Sequence, residues 1–468
     1  MVYFVQCISC IKNKTGFVIR IAVLPVLFLL FTFPSSAQKP EFCKAPSSEL
    51  NYQIARWQGF KKAAFSISFD DNYRFQVIYA NPLVNLHHYK ATYFIVTNRV
   101  GKGWAPGWDT LTMLASQGHE IGSHSKNHAD FNFLSQFPQY ADSMKHEFRD
   151  SRDTINARIP SQKCVTFAWP GGAVNDSAIS VSRNYYMACR GSSNFWEDSV
   201  PYNYYNLYSH HIYHDTPLTE VNTFIDSIIY KKGWLVERWH GFRVGNDTNG
   251  YEPVPIEEFR DHLDYVAQNE DNLWITTLDS VVKYIRERQA STLSLIDSSG
   301  NCLQFSLITY LPDTSYHYHI PLSLKVRMFG DMKKVVLITQ NNQPIPFSIS
   351  YENGAYYLYF DAIPNEGFIV MHMIYVGTDD LIALNEGAGN YPNPFTSFTN
   401  ILFEIPEAEN IDIQVFDKVG RVVRNYSRHY PSGRNSIEFD GSGLPPGIYT
   451  CIIRTRERKM DVRMVLTH

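Results

Sequence analysis

The stretch Phe65-Ser66-Ile67-Ser68-Phe69-Asp70-Asp71 decides the fold and the chemistry of this chain. Its alternating apolar side chains predict a β-strand, and two carboxylates follow directly at the carboxyl end of that strand. Barrel-like α/β folds build their sites at this end of the strands. Because adjacent residues on an extended chain point in opposite directions, we expect the two carboxylates to divide their roles, one on a metal ion and one beside it.

A second stretch, Ser123-His124-Ser125-Lys126-Asn127-His128, carries two imidazoles four residues apart. In a helical turn this spacing places both rings on one face. An HxxxH pair alone is weak evidence, whereas Asp-Asp at one strand end together with HxxxH at another is much stronger. One Asp and two His leave open positions on a divalent cation for water and substrate, so the two stretches predict a hydrolytic metal site.

Between about residues 59 and 290 strand-like and helix-like segments alternate. The predicted strands are Ala64–Phe69, Thr92–Val96, Glu120–Ser123, Val165–Trp169, Tyr186–Arg190, Trp234–Trp239 and Leu273–Thr276. The predicted helices are Asp109–Ser116, Tyr140–Ala157, Asp176–Arg183, Glu220–Tyr230, Pro255–Ala267 and Leu278–Arg288. This alternation implies an α/β fold with parallel strands, and motifs at several strand ends favour closure into a barrel over an open sheet.

Two more strand ends carry candidate residues. Trp169-Pro170-Gly171 forms a rigid loop whose bare N–H groups suit an oxyanion, although a plain turn before the next helix is the alternative. His240 follows the strand Trp234–Trp239 and could protonate a leaving group, although a lone histidine is more often structural. His210, His211 and His214 lack a supporting carboxylate, and we expect this cluster to line a rim.

The two ends of the chain predict export. A basic region, an apolar run over Ile21–Phe33 and the small residues Ser35-Ser36-Ala37 predict a signal peptide over residues 1–37, with an uncleaved anchor as the alternative. A leader segment over residues 38–58 follows. No later segment has the length or apolarity of a membrane span, so we expect no transmembrane segment in the mature chain.

Residues 291–468 change character and predict two small all-β domains. Alternating strands predict a β-sandwich module over residues 291–377, and a glycine-containing linker follows over residues 378–390. Residues 391–468 open with Tyr391-Pro392-Asn393-Pro394-Phe395 and close with Leu444-Pro445-Pro446-Gly447-Ile448-Tyr449. This order of motifs resembles the C-terminal sorting domain of the type IX secretion system. The resemblance implies export through the periplasm and outer membrane, followed by secretion or cell-surface attachment.

Composition narrows the function further. A formal charge of -4 over 468 residues and the lack of a long basic stretch argue against nucleic acid as a partner. Aromatic residues make up 15% of the chain, and aromatic clefts suit sugars, although most rings serve the core. Cys7 and Cys10 lie in the predicted signal peptide, and the five remaining cysteines contain no CxxC pair, so a zinc finger is excluded. Cys164 and Cys189 are either a disulfide or two buried thiols.

Taken in order, the motifs of residues 59–290 resemble the polysaccharide deacetylase family, also called the NodB homology domain or carbohydrate esterase family four. The resemblance implies a deformed (β/α) barrel and a divalent metal, most often zinc and sometimes cobalt or another divalent ion. It also implies roles for individual residues: Asp70 as general base, His240 as general acid, Asp71, His124 and His128 as metal ligands, and Trp169, Pro170 and Gly171 at the substrate groove and oxyanion.

Two positions depart from the family pattern. Ala168 stands where the family often has an Arg that steadies the base, and Arg238 stands where it usually has a small apolar residue. The family's further Asp, which tunes the acid, has only Asp198 as a weak candidate.

The sequence therefore predicts a secreted, metal-dependent hydrolase that removes N-acetyl groups from an acetylated polysaccharide or oligosaccharide. An O-acetyl xylan esterase with the same site and a non-catalytic surface glycan-binding protein are the alternatives. An iron oxygenase with two His and one carboxylate conflicts with the β/α alternation.

Overall fold

The computed structural model describes residues 50–299, 302–311, 318–328, 335–373, 387–391 and 393–467. The predicted signal peptide lies outside these residues, as does most of the predicted linker. The first twelve strands are β1 (Tyr52–Ile54), β2 (Ala63–Asp70), β3 (Ala91–Ile95), β4 (Glu120–Ser123), β5 (Thr166–Ala168), β6 (Ala188–Arg190), β7 (His210–His211), β8 (Trp234–Trp239), β9 (Phe242–Val244), β10 (Asp247–Asn249), β11 (Val254–Pro255) and β12 (Leu273–Ile275).

Eight α-helices accompany these strands in the described residues. They are α1 (Asn81–Leu86), α2 (Trp108–Ser116), α3 (Phe131–Leu134), α4 (Tyr140–Arg158), α5 (Asp176–Ser182), α6 (Leu218–Lys231), α7 (Ile256–Gln268) and α8 (Leu278–Ala290). No helix in the described part of the chain combines the length and the apolar composition that a bilayer crossing requires.

The main sheet of the first domain is parallel throughout, in the order β6-β5-β4-β3-β2-β8-β7, with β12 also paired to β2. Leu207, just before β7, forms a parallel bridge to Arg190 at the end of β6. The two edges of the sheet therefore meet, and the sheet closes. The predicted deformed (β/α) barrel is confirmed.

Burial explains why the strands and helices form where they do. Every residue of β2 is buried, because one face of the strand lies in the barrel and helices cover the other. In α7 the buried residues Phe259, His262, Leu263 and Val266 recur at helical spacing and form one apolar face. Cys164 and Cys189 are buried free thiols, so they do not form the disulfide considered above.

Two all-β domains follow the barrel, as predicted. The first contains β13 (Ser291–Ser299), β14 (Cys302–Thr309), β15 (Leu322–Arg327), β16 (Val335–Gln340), β17 (Gln343–Pro344), β18 (Phe347–Glu352), β19 (Ala355–Ala362) and β20 (Phe368–Met373). Its two sheets have the orders β1-β15-β19-β18 and β13-β14-β20-β16-β17 and enclose one apolar core. Residues 52–54, predicted to be leader, are therefore an edge strand of this sandwich, a long-range pairing that local sequence does not reveal.

The last domain contains β21 (Ala388–Tyr391), β22 (Phe398–Ile405), β23 (Glu409–Phe416), β24 (Val422–Tyr430), β25 (Gly433–Asp440), β26 (Gly447–Arg454) and β27 (Lys459–Leu466). Its two antiparallel sheets, β21-β22-β25 and β24-β23-β26-β27, pack around a core of their own. Strand β21 begins at Ala388, so the end of the predicted linker already belongs to this domain.

Candidate active site

The carboxyl ends of the barrel strands bring the candidate residues to one rim. Phe69 pairs with Trp239 across β2 and β8, so Asp70 and His240 leave their strands side by side. Gln76 reinforces this junction, because its Nε2 donates to the carbonyl oxygens of Asp70 at 2.6 Å and His240 at 2.8 Å. The rim encloses a cavity of about 480 Å³ lined by Asp70, Asp71, Tyr73, Arg99, His124, His128, Trp169, Gly171, Ser192, His211, Tyr213, Arg238, His240 and Tyr251.

The two adjacent carboxylates reach the same cavity through a turn in the backbone. Asp71 and Asn72 adopt left-handed conformations, with φ of 72° and 50°. The Asn72 Oδ1 accepts a hydrogen bond from the Val96 N–H at 3.1 Å, which holds the turn against β3. The expectation that extended geometry separates the two carboxylates was therefore wrong, because Asp71 has already left the extended conformation.

Asp71, His124 and His128 form a group that could hold a metal ion. Their ligand atoms lie within 4.8 Å of one another, and this is the only such group in the residues the structure describes. Asp71 Oδ1 lies 3.3 Å from His128 Nε2 and 3.9 Å from His124 Nε2. One carboxylate and two imidazole nitrogens converging on one point suit a divalent cation.

The tautomer of His124 supports this fit. Its Nδ1 lies 2.8 Å from the carbonyl oxygen of Ala168, an acceptor only, so Nδ1 must donate the proton. The Nε2 lone pair is then free for a cation. Burial lowers the pKa of His124 to about 4, despite the opposing charges of Asp70 and Asp71, so the ring is neutral near neutral pH.

The His124–His128 segment is a loop, and the helical turn predicted for it was wrong. Ser125 and His128 have φ of 65° and 63°, which no right-handed helix contains. The Ser125 Oγ accepts hydrogen bonds from the N–H groups of His128 at 2.9 Å and Ala129 at 3.2 Å. The hydroxyl therefore closes the loop and brings the two imidazole rings to a centroid distance of 5.0 Å.

Asp70 lies beside the metal-ligand group and is paired with Arg190. The guanidinium is fully buried, and its Nη2 donates to both carboxylate oxygens, at 2.5 Å for Oδ2. Burial alone would raise the pKa of Asp70, but Arg190, helped by His124, His240 and Arg238, holds the pKa well below its usual range. Asp70 is therefore ionised and can accept a proton only in a step that favours transfer strongly.

The family pattern led us to expect an arginine at residue 168 beside the Asp70 carboxylate. Ala168 stands there instead, and the guanidinium beside Asp70 comes from Arg190. Ala168 and Arg190 are register partners on β5 and β6, so the cation enters the barrel from the neighbouring strand. The sequence analysis missed this residue. A signal was present, because Arg190 ends a predicted apolar strand, where a charged side chain enters the site as Asp70 does.

His240 lies beside Asp70 with 11% of its side chain exposed, and it has an aromatic partner. Its Nε2 lies 3.7 Å from Asp70 Oδ2, and its ring lies 4.5 Å from that of His211, centroid to centroid. Burial lowers the pKa of His240, and Asp70 and Asp71 offset only part of that effect. Asp198 is exposed and borders a different cavity, so it is not the carboxylate that tunes His240.

The Trp169-Pro170-Gly171 loop contributes mainly backbone atoms, not side chains, to the cavity. The Trp169 ring is buried, and its Nε1 donates to the Tyr205 carbonyl oxygen at 2.9 Å. Pro170 is buried as well. Gly171 borders the cavity with a φ of 60°, and a Cβ built on it meets no atom within 4 Å. The open space above Gly171 leaves room for a substrate group close to the backbone.

Three cavity residues had no predicted role in the chemistry. Arg99 Nη1 donates to Asp71 Oδ1 at 2.6 Å, which orients the carboxylate. Burial, with the charge of Asp71, raises the pKa of Tyr73 to about 12, so the phenol stays neutral. His211 was expected only on a rim, but its pairing with Arg238 on β8 brings it to the cavity, whereas His214 is exposed and pairs with Glu252.

Two stretches of the chain match the models of known families. Residues 58–189 match the sequence model of the polysaccharide deacetylase family, and residues 390–467 match that of the secretion system C-terminal sorting domain. Both resemblances predicted from the motifs are confirmed: the chain contains a polysaccharide deacetylase domain and ends in a sorting domain of the type IX secretion system. The sorting domain indicates export to the cell surface or the extracellular space.

Individual relatives are distant. A gellan lyase of a Bacillus species is 26% identical over 344 residues, which cover 69% of this chain and 13% of that protein. Among solved structures, a Streptococcus pyogenes deacetylase in complex with acetate is 20% identical over 31% of this chain and 63% of its own, with a TM-score of 0.28. A Bacillus cereus polysaccharide deacetylase is 17% identical over 34% and 50%, with a TM-score of 0.29. The Xyl-CE4 domain of a multidomain xylanase from the hindgut metagenome of Trinervitermes trinervoides is 13% identical over 47% and 89%, with a TM-score of 0.32.

Proposed function

We propose that this protein is an exported, metal-dependent deacetylase that hydrolyses N-acetyl groups of a glycan and releases acetate. The observation that carries the proposal is the pairing of two groups in one cavity. Asp71, His124 and His128 converge on one point, and the ionised, buried Asp70 lies next to them without belonging to the set. A binding protein has no need of a free base beside a metal site, so the arrangement favours catalysis.

Asp71, His124 and His128 would hold the cation, for which zinc is our first choice and cobalt the second. A divalent cation bound there supplies a Lewis acid that polarises the acetyl carbonyl and makes water acidic. Asp70 accepts the proton of the attacking water, and Arg190 holds its carboxylate in place. The Gly171 N–H is our candidate donor to the tetrahedral oxyanion of the substrate, since the Cβ direction of Gly171 is open and Gly171 borders the cavity.

His240 completes the proposed chemistry as the general acid. It emerges from β8 next to Asp70, on the opposite side of that carboxylate from the strands that carry His124 and Ala168. A proton on His240 passes to the departing sugar nitrogen as the carbon–nitrogen bond breaks. Acetate and a free amino sugar are the products.

O-acetyl ester hydrolysis at the same site is the second candidate, and one observation favours it. His240 lacks a carboxylate partner other than Asp70 within 4.0 Å among the described residues, and burial lowers its pKa. A lowered pKa means that the His240 ring carries a proton less often at neutral pH. Ester cleavage tolerates this better than amide cleavage, because an alkoxide can depart with less protonation than an amine nitrogen needs.

Acetate release by the full-length exported chain tests the proposal. The substrates are N-acetyl chitooligosaccharides, peptidoglycan and acetylated xylan. We expect chelation to abolish release and zinc or cobalt to restore it, and we expect His124→Ala to lose both bound metal and turnover. His146→Ala, at an exposed position on α4, is the matched control and should keep both. Turnover that survives chelation and His124→Ala would overturn the metal-dependent mechanism.

A further inference from the structure

Arg238 is a buried cation in the wall of the candidate active site. It lies on β8 in register with His211, borders the cavity and is only 7% exposed. Its Nε has no hydrogen-bond partner, and among the described residues no carboxylate forms an ion pair with its guanidinium within 4.0 Å. A desolvated charge without a partner is unfavourable, so we expect an anionic group of a ligand to pair with the Arg238 guanidinium.

The neighbouring groups do not supply that partner. Both oxygens of Asp70 are already occupied by Arg190. His211 carries no negative charge, and Tyr213 and Tyr251 are phenols that border the cavity beside Arg238. Burial, followed by the repulsion of Arg190, lowers the pKa of Arg238 to about 10, so the side chain still carries its charge at neutral pH.

The balance of charge in the cavity is positive. Arg99 and Arg238 line the cavity together with Asp70 and Asp71, and the fully buried Arg190 lies behind Asp70 and adds a third guanidinium against the two carboxylates. A divalent cation on the metal-ligand group adds further positive charge. A cleft lined by excess charge of one sign concentrates ligands of the opposite sign.

Together these observations identify the kind of sugar the cavity accepts. Resting on the deacetylase function proposed above, we propose that the substrate is an acidic glycan, and that Arg238 binds a carboxylate on a sugar held in the active-site cavity. A guanidinium presents two parallel N–H groups that match the two oxygens of a carboxylate. Tyr213 and Tyr251 are 36% and 53% exposed and offer ring faces to the same sugar at the mouth of the cavity.

A matched pair of substrates tests this role: the trimer of N-acetylgalactosaminuronic acid with free carboxylates and the same trimer as its methyl ester. For the zinc-loaded full chain, we expect kcat/KM for the free acid to exceed that for the ester by about tenfold or more, the effect of one charge-assisted pair. In Arg238→Gln the ratio should fall to about one, and Arg238→Lys should retain part of it. Arg260→Gln, an exposed position on α7, should keep the full ratio.

Binding separates this inference from the deacetylase function. Calorimetry with unacetylated trigalacturonate and its methyl ester reports the carboxylate preference without any turnover. A preference that disappears in Arg238→Gln supports the acidic subsite even if no substrate releases acetate, in which case only the deacetylase function fails. Equal affinity of the parent for acid and ester, or a preference that survives in folded, metal-binding Arg238→Gln, overturns the subsite.

Discussion

Two buried carboxylates at opposite ends of the barrel show how the same kind of side chain serves different purposes. Asp70, at the carboxyl end of β2, is 2% exposed, and Glu120, at the amino end of β4, is 5% exposed. Arg190 outweighs burial and lowers the pKa of Asp70. Burial, with the nearby charge of Asp279, raises the pKa of Glu120 well above its usual range.

The partners explain the contrast. Asp70 faces a guanidinium, whereas Glu120 accepts hydrogen bonds from the hydroxyl groups of Thr166 and Thr92 and from the Asp279 N–H at 3.0 Å. Neutral donors satisfy Glu120 and tie the first turn of α8 to the barrel, without compensating a full charge. Asp70 is thus held ionised, as the proposed general base must be, whereas Glu120 ties α8 to the barrel.

The largest effect should come from removing the Asp70 carboxylate. We expect Asp70→Asn to reduce acetate release by about 10²–10⁴-fold, the usual contribution of a general base, and to retain bound metal. Acetate assays combined with metal analysis of the purified protein measure both. The matched control is Asp109→Asn, an exposed carboxylate on α2. A variant that keeps the turnover of the parent would remove Asp70 from the mechanism.

The arginine that pairs with Asp70 can be moved from β6 to the adjacent strand β5. Arg190→Ala leaves a buried carboxylate without its cation, so we expect a loss of about 3–5 kcal/mol in the free energy of unfolding and a large loss of turnover. Because Ala168 is the register partner of Arg190, the double variant Arg190→Ala/Ala168→Arg should recover part of both. Chemical denaturation and acetate release give the two readouts. A folded double variant no more active than Arg190→Ala would show that Arg190 does more than position Asp70.

A smaller and substrate-dependent effect is expected at His240. His240→Gln should lower turnover of an N-acetyl substrate by roughly 10²-fold, because the departing amine needs a proton. The loss should be much smaller for p-nitrophenyl acetate, whose leaving group departs without one. Comparing kcat/KM for the two substrates tests this role. Equal losses on both would assign His240 to site structure and not to proton donation.

The effect at the second carboxylate, Glu120, should appear in the pH dependence of stability and leave turnover unchanged. Because the pKa of Glu120 is raised in the folded state, the unfolded chain ionises first as the pH rises. The contribution of Glu120 is therefore fully present below its unfolded pKa of about 4.5 and is lost towards the folded pKa, by at most about 1.4 kcal/mol per pH unit. Thermal unfolding from pH 5 to pH 8 should decline less in Glu120→Gln. Parallel declines in variant and parent would contradict this account.

Much of the barrel could be predicted because its strands are buried on both faces. Prediction and structure give the same bounds for β4 and β8, and both strands are buried along their whole length. Helix α7, with its apolar face, differs from its prediction by one residue at each end. The edge strand β1 and the two-residue strand β7 were missed, because each is held only by a partner distant in sequence.

The candidate site, too, could be predicted only in part: its residues were identified, but the backbone geometry that brings them together was not. Asp70, Asp71, His124 and His128 were identified from two short motifs, and His240 from its place after a predicted strand. The structure brings all five to one cavity, although the chemical roles implied by the family resemblance stay predictions. The helical turn and the extended dipeptide invoked to explain that convergence were wrong. Left-handed residues produce it instead. Asp and His are enriched in that conformation, but it is uncommon for any residue except glycine, so the sequence does not single out Asp71 or His128.

The sequence by itself determined which side chains are available for chemistry, the order of strands and helices that carries them, and the two all-β domains that follow. Only the tertiary structure decided which cation holds Asp70, which histidine packs on His240 and why Arg238 faces the cavity without a counterion. The reason is physical. Local pattern encodes burial and periodicity along the chain, whereas the pKa and orientation of a buried charge depend on neighbours that closure of the barrel brings together across β5, β6, β7 and β8.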